Sequence, residues 1–215
     1  MKVDYFYDPR ATAGDALVKF RLTYAGEIDS NGSAPHKHAM RKVFHNQLKR
    51  LWQTSPNLRK EHNPRNPDGT DTGLRFEWWE WIAKQRPYDR LGYNFIPLVR
   101  RDFSVLVSLD VLFLRQGRPG YALNKGDIDN RMKTLFDALR MPSSAQEIGG
   151  NTPASDEDPF FVLLEDDDKI TQLSVDTDDL LEAVNAPIPR RNDARLVITV
   201  EIHPTFRHSD TQHFN

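Results

Sequence analysis

Two aspartates separated by one residue, Asp127-Ile-Asp129, are followed by Asn130 and, one turn later, by Lys133. Extended backbone repeats every two residues, so both carboxylates leave the chain on one side where it enters a helix. Two anions held that close repel, and a hard divalent cation relieves the conflict. Mg²⁺, with Mn²⁺ as the alternative, takes oxygen ligands and keeps several waters. A third carboxylate is available from Asp166, Asp167 or Asp168, clustered between two apolar segments. Lys133 lies four residues after Asp129 on the same helical face, where its ammonium can balance the acids or meet a phosphate. Each group also has an ordinary role. Helix capping accounts for one aspartate, a solvated turn for residues 166–168, and an i,i+4 ion pair with Asp137 for Lys133.

Other chemistries are absent from the chain. It has no cysteine, which excludes disulfides, thiolate metal sites and a cysteine nucleophile. It has no Walker loop, no G-x-S-x-G and no glycine-rich dinucleotide turn, so no nucleotide cofactor is expected. No EF-hand spacing starts at Asp127, Asp166 or Asp176, where the fifth positions are Arg131, Ile170 and Leu180. His36-Lys-His38 lacks companions at zinc spacing and reads as part of a basic patch. No stretch reaches the ~18 apolar residues of a membrane span, and the start MKVDYFYDPR lacks an apolar targeting core. A cytoplasmic protein is expected.

The elements that must position these groups follow from hydrophobic periodicity. Residues 16–24 alternate Val18, Phe20, Leu22 and Tyr24 and read as a strand. Residues 36–52 have helical spacing, with Met40, Val43, Phe44, Leu48, Leu51 and Trp52 as the apolar stripe. Lys37, Arg41, His45 and Lys49 fall on another face. Residues 54–73 read as a loop and 76–83 as a short aromatic helix. Ser104–Arg115, apolar on both faces, reads as a central strand, and 129–139 as a helix buried through Met132, Leu135, Phe136 and Leu139. A surface loop over 141–159, strands at 160–164 and 169–175, a short helix at 177–184 and a strand at 195–202 complete the reading. Strands and helices alternate without a strict βαβ rhythm, which predicts an α+β fold, a mixed sheet packed with helices.

The formal charge of -2 hides segregation. Residues 36–66 hold eight Lys/Arg against one acid, and residues 156–182 hold eleven acids against one base. A basic pole suits phosphate and an acidic pole suits cations.

Taken together, the two acidic blocks resemble the RusA family of Holliday junction resolvases. The family motif D-[LI]-D-N-x-x-K-x-x-x-D-A-L is matched by Asp127-Ile128-Asp129-Asn130, Lys133 and Asp137-Ala138-Leu139. A second block, D-D-x-[QK]-[VI], is matched by Asp166-Asp167-Asp168-Lys169-Ile170. A preceding apolar strand (104–115) and a closing R-L-x-[IV]-x-[IV] strand (195–200) also agree. The resemblance covers 104–202 and more faintly 16–52. It implies one RusA-like domain over 1–202, with insertions at 54–103 and 141–160 and a flexible tail at 203–215.

The resemblance further implies a Mg²⁺-dependent endodeoxyribonuclease, active as a homodimer on branched DNA in a bacterial, phage or prophage setting. Asp127, Asp129 and Asp167 become metal ligands, Lys133 the essential lysine and Asp166 a neighbouring ligand. Lys37, Arg41, Lys42, Lys49 and Arg50 on the 36–52 helix, with Lys125, are the expected DNA contacts. Three departures stand out: the long linker at 141–165, the expanded 54–103 segment, and Gly126 where a basic residue is expected. A non-catalytic branched-DNA-binding protein of the same fold is the alternative. A D-x-D glycosyltransferase is the less fitting one, since no nucleotide-binding half is present.

Overall fold

A computed structural model describes residues 18–59, 61–63, 65–85, 88–115, 127–181 and 192–205. Lys125 and the side chain of Asp127 lie outside the described residues. The class is α+β, with mixed sheets and three α-helices among the described residues.

Four strands form the main sheet in the order β1 (Val18–Glu27), β9 (Asp193–Pro204), β6 (Val105–Arg115), β8 (Ile170–Asp179). The β1–β9 and β9–β6 pairs are antiparallel, and β6–β8 is parallel. Alternation fixes which face is buried. Leu22, Val107, Leu109, Val111, Phe113, Leu196, Ile198 and Val200 point into the core, while the residues between them line the opposite face. β6 is internal, as its sequence predicts, with one face in the core; on the other, Leu106 and Leu114 are half-buried and Leu112 is 39% exposed among the described residues.

The long helix α1 (Ala34–Thr54) begins at Ser33, whose hydroxyl accepts the His36 N–H, and has a proline in its first turn. Met40, Phe44, Leu48 and Trp52, at steps of four, are buried in the core. Val43, expected in that stripe, is 40% exposed.

A second sheet, β4 (Tyr88–Arg90), β5 (Tyr93–Val99) and β7 (Phe160–Leu164), packs on the other side of α1. β5 and β7 are parallel, and all five residues of β7 are buried. Because α1 is covered on two sides, its second face is buried as well: His38, Arg41 and His45 are each 1% exposed. Of the four residues expected on a second face of this helix, Arg41 and His45 are thus buried, while Lys37 and Lys49 are half-buried. Between the sheets come the pair β2 (Glu61–His62) and β3 (Phe76–Glu77) and the helix α2 (Trp78–Gln85), where Trp78 packs on Trp52 and Phe103.

Helix α3 (Asp127–Leu139) packs on α1, and its end joins β7 through Met141 N–H to Leu164 O, 2.9 Å. Two further expectations are corrected. Thr177–Asp179, expected in a helix, continue β8 alongside Phe113–Arg115. His203 and Pro204, expected in a tail, extend β9 opposite Leu106 and Val105.

Candidate functional site

Asp129 stands exposed in the first turn of α3, and Lys133 is exposed one turn on. Lys133 makes no ion pair with Asp137, contrary to the local expectation. The Asp137 carboxylate is taken by Lys37 at 2.7 Å and by Arg140 at 2.9 Å. Burial pushes the Asp137 carboxyl up, and these two cations more than offset it, leaving it below its ordinary value.

The position of α3 is set by a polar joint that the sequence reading passes over. Arg131, buried on the face that also carries Leu135, donates to Ile28 O and, at 3.0 Å, to Asn192 Oδ1. Asn192 in turn donates to Asp29 Oδ1 at 2.6 Å. Thr134 Oγ1 donates to Asp29 O and accepts Gly32 N–H, both at 3.0 Å. The signal was an arginine in register with an apolar stripe, a position that demands buried carbonyls.

The second acidic block opens a single 3-10 turn at Asp167–Lys169, capped by Asp166, which accepts the Asp167 N–H at 2.9 Å. Asp168 pairs with Lys169. Partial burial raises the Asp167 carboxyl above its ordinary value; the hydrogen bond and charge of Asp166 raise it further, and Arg140 pulls the other way. Leu164, two residues before Asp166, forms a β-bridge with Arg140 and accepts the Met141 N–H at 2.9 Å, so the second block follows directly from the strand docked on the end of α3. Arg140, which also bonds Glu147 at 3.2 Å, stands among the acids of both blocks.

Asp129 is at the far end. Eight residues of helix separate it from Asp137, about 12 Å of rise. Among the described residues, no three His, Asp or Glu side chains stand close enough to hold a metal ion. The structure thus brings Asp166 and Asp167 together near Asp137, and does not bring Asp129 to them. Mg²⁺ needs only one or two protein carboxylates, the rest being water and substrate phosphate. The Asp166–Asp167 pair fits that requirement in donor type.

Four of the expected DNA contacts, Lys37, Arg41, Lys42 and Lys49, have partners within the chain. Arg41 donates to Asp137 O at 2.6 Å and Arg140 O at 3.2 Å and meets His38 Nδ1 at 3.1 Å. Lys42 pairs with Glu157 at 2.8 Å, and Lys49 donates to Asp156 O at 2.8 Å. The two charged poles therefore meet each other. Glu157, 6% exposed, brings the 141–159 segment onto α1, so that segment is more than a surface loop. Arg50 is exposed.

Compared with protein-family models, curated proteins and solved structures, the chain matches none.

Proposed function

We propose that the chain is a Mg²⁺-dependent, structure-selective endodeoxyribonuclease that cuts branched DNA as a homodimer, in the manner of the RusA-like resolvases its acidic blocks resemble. The observation that carries this reading is that the strand leading into the second block docks on the end of the helix that bears the first: Met141 N–H bonds Leu164 O at 2.9 Å, and Arg140 forms a β-bridge with Leu164. Asp166 and Asp167 would hold the ion, and Asp129, at the head of α3 with Lys133, would act on the substrate side rather than as a ligand beside them. Bound there, the ion would lower the pKa of a water and polarise a phosphoryl oxygen.

The protein's own groups have separate tasks. The exposed Lys133 ammonium offers a positive charge to the phosphate as charge develops on it. Arg140 keeps the acids of the two blocks from repelling one another. Arg131 and Thr134 fix α3 against the loop after β1, and so fix where Asp129 and Lys133 stand. Arg50 supplies a phosphate contact, since it is not drawn into the interior.

The separation of Asp129 from Asp167 favours a second reading, a branched-DNA-binding protein without cleavage. The test is to incubate the protein with labelled four-way junctions, flaps and linear duplex, with Mg²⁺ and with EDTA. Cutting of branched substrates in Mg²⁺ alone supports the nuclease. Tight junction binding with intact strands supports the binder, and neither cutting nor preference for branches rejects both.

A further inference from the structure

Two arginines stand side by side where β5 ends, and the fold sends them opposite ways. Arg100 turns inward and is 3% exposed. Its guanidinium lies over the rings of Tyr88 at 4.5 Å and Phe103 at 5.0 Å, and it pairs with Asp102 at 2.5 Å. Arg101 opens a single 3-10 turn at Arg101–Phe103 and is exposed. Arg100 is extended, and successive side chains on such backbone leave opposite sides, so burying the first turns the second outward.

The second acidic block emerges at the same place. β5 and β7 run parallel with Val99 opposite Leu164, so their carboxyl ends finish together. Glu165 N–H bonds Val99 O at 2.9 Å, and the Glu165 carboxylate accepts the Arg101 N–H at 2.7 Å. Glu165 is thus held by main chain and side chain, and the next residue is Asp166. Two other cations at the block are turned in. The side chains of Arg140 and Lys169 are each 14% exposed, the first on Asp137 and Glu147 and the second on Asp168.

We propose that Arg101 is a phosphate-binding residue of the acidic block, meeting the backbone of the DNA strand that passes Asp166 and Asp167, with Glu165 as the residue that positions it. The inference rests on the reading of branched DNA as ligand, and not on cleavage. Its ground is charge. Residues 165–168 are four acids in a row, followed by one lysine, and a polyanion brought there is repelled unless a cation meets it. A guanidinium suits the task, since its planar fork offers a phosphate two parallel N–H donors. Arg101 belongs to the 54–103 segment, outside the positions that the acidic blocks share with the RusA motif. Such a contact strengthens binding and fixes the strand without reading sequence.

The test is fluorescence anisotropy of a labelled four-way junction over about 50 to 200 mM salt, with Ca²⁺ in place of Mg²⁺. Arg101→Gln is expected to weaken binding about fivefold or more and to lower the salt slope by about 1. Arg101→Lys should keep the parent's slope, which a merely structural role would not predict. Glu165→Ala removes an anchor and an acid together. Loss of the acid helps either background alike, so a double-mutant cycle isolates the anchor. Relative to its effect in Arg101→Gln, Glu165→Ala should cost the parent about threefold or more in affinity. A parental slope in Arg101→Gln, or a lysine variant as poor as the glutamine one, overturns the proposal. A cycle without coupling overturns the part given to Glu165. A parent with no affinity for DNA overturns this inference together with the reading beneath it. Strands left intact in Mg²⁺, with the Arg101 effect present, overturn the nuclease and uphold the contact.

Discussion

Lys37 Nζ lies 2.7 Å from Asp137 Oδ2, joining the first turns of α1 to the last turn of α3 across 100 residues of chain. The same Asp137 holds Arg140, and its carbonyl receives the Arg41 guanidinium. One carboxylate in the D-A-L segment thus anchors the helix that carries the first acidic block. Asp137→Ala leaves Lys37 without its partner and Arg140 with Glu147 as its remaining carboxylate. A loss of about 2–3 kcal/mol is expected, read as a lower urea midpoint at unchanged slope.

Arg41 separates a folding role from a DNA role. Burial lowers its guanidinium to about 10, still charged at neutral pH, and its donors are spent on carbonyls. Arg41→Ala is expected to cost about 3–5 kcal/mol, and any DNA defect should track the unfolded fraction. Arg50→Ala should leave the melting temperature within about 1 °C of the parent and reduce the salt slope of junction binding by about 1.

His38 makes stability depend on acid. Burial first, then the charges of Arg41 and Lys42, lower its pKa to about 4 from an ordinary 6.5. Above pH 6.5 neither state binds the proton, and the shift has no effect. As pH falls below 6.5 the unfolded chain takes up a proton that the folded chain refuses until about pH 4. Stability should therefore fall across that window, by about 3 kcal/mol for a shift of this size. Urea midpoints at several pH values check this. His38→Asn, which keeps an acceptor for Arg41, should flatten the dependence.

Gly32 marks how closely α1 and α3 are joined. A Cβ there would lie 2.8 Å from His36 Cδ2 and 2.9 Å from Thr134 Cγ2. Gly32→Ala is expected to destabilise by about 1–3 kcal/mol through overpacking, measured by denaturation. Thr134→Ser, which removes the near methyl, should recover part of the loss in the double variant.

Much of this fold was legible as period. The alternation of β1 and β9 and the stripe Met132, Leu135, Leu139 of α3 give strands and helix directly. β5 was not, because Tyr93–Val99 is buried on nearly every side and contains Pro97, so neither alternation nor β propensity marks it. The charged face of α1 misled for a physical reason. Charge implies exposure only where no counter-charge is at hand, and Asp137 and Glu157 lie far off in sequence. The acidic blocks were legible as motifs, yet their convergence was not. β7 delivers the second block to the end of α3, while Asp129 stands at its start.

The central claim is that both blocks serve one cleavage reaction, and single-turnover cutting of a four-way junction by Asp129→Asn and Asp167→Asn tests it most directly. Both variants should fold and melt as the parent does, bind the junction, and cut it at least ~10²-fold more slowly in saturating Mg²⁺. Parental rates in either variant, or cutting that persists in EDTA, would contradict the account.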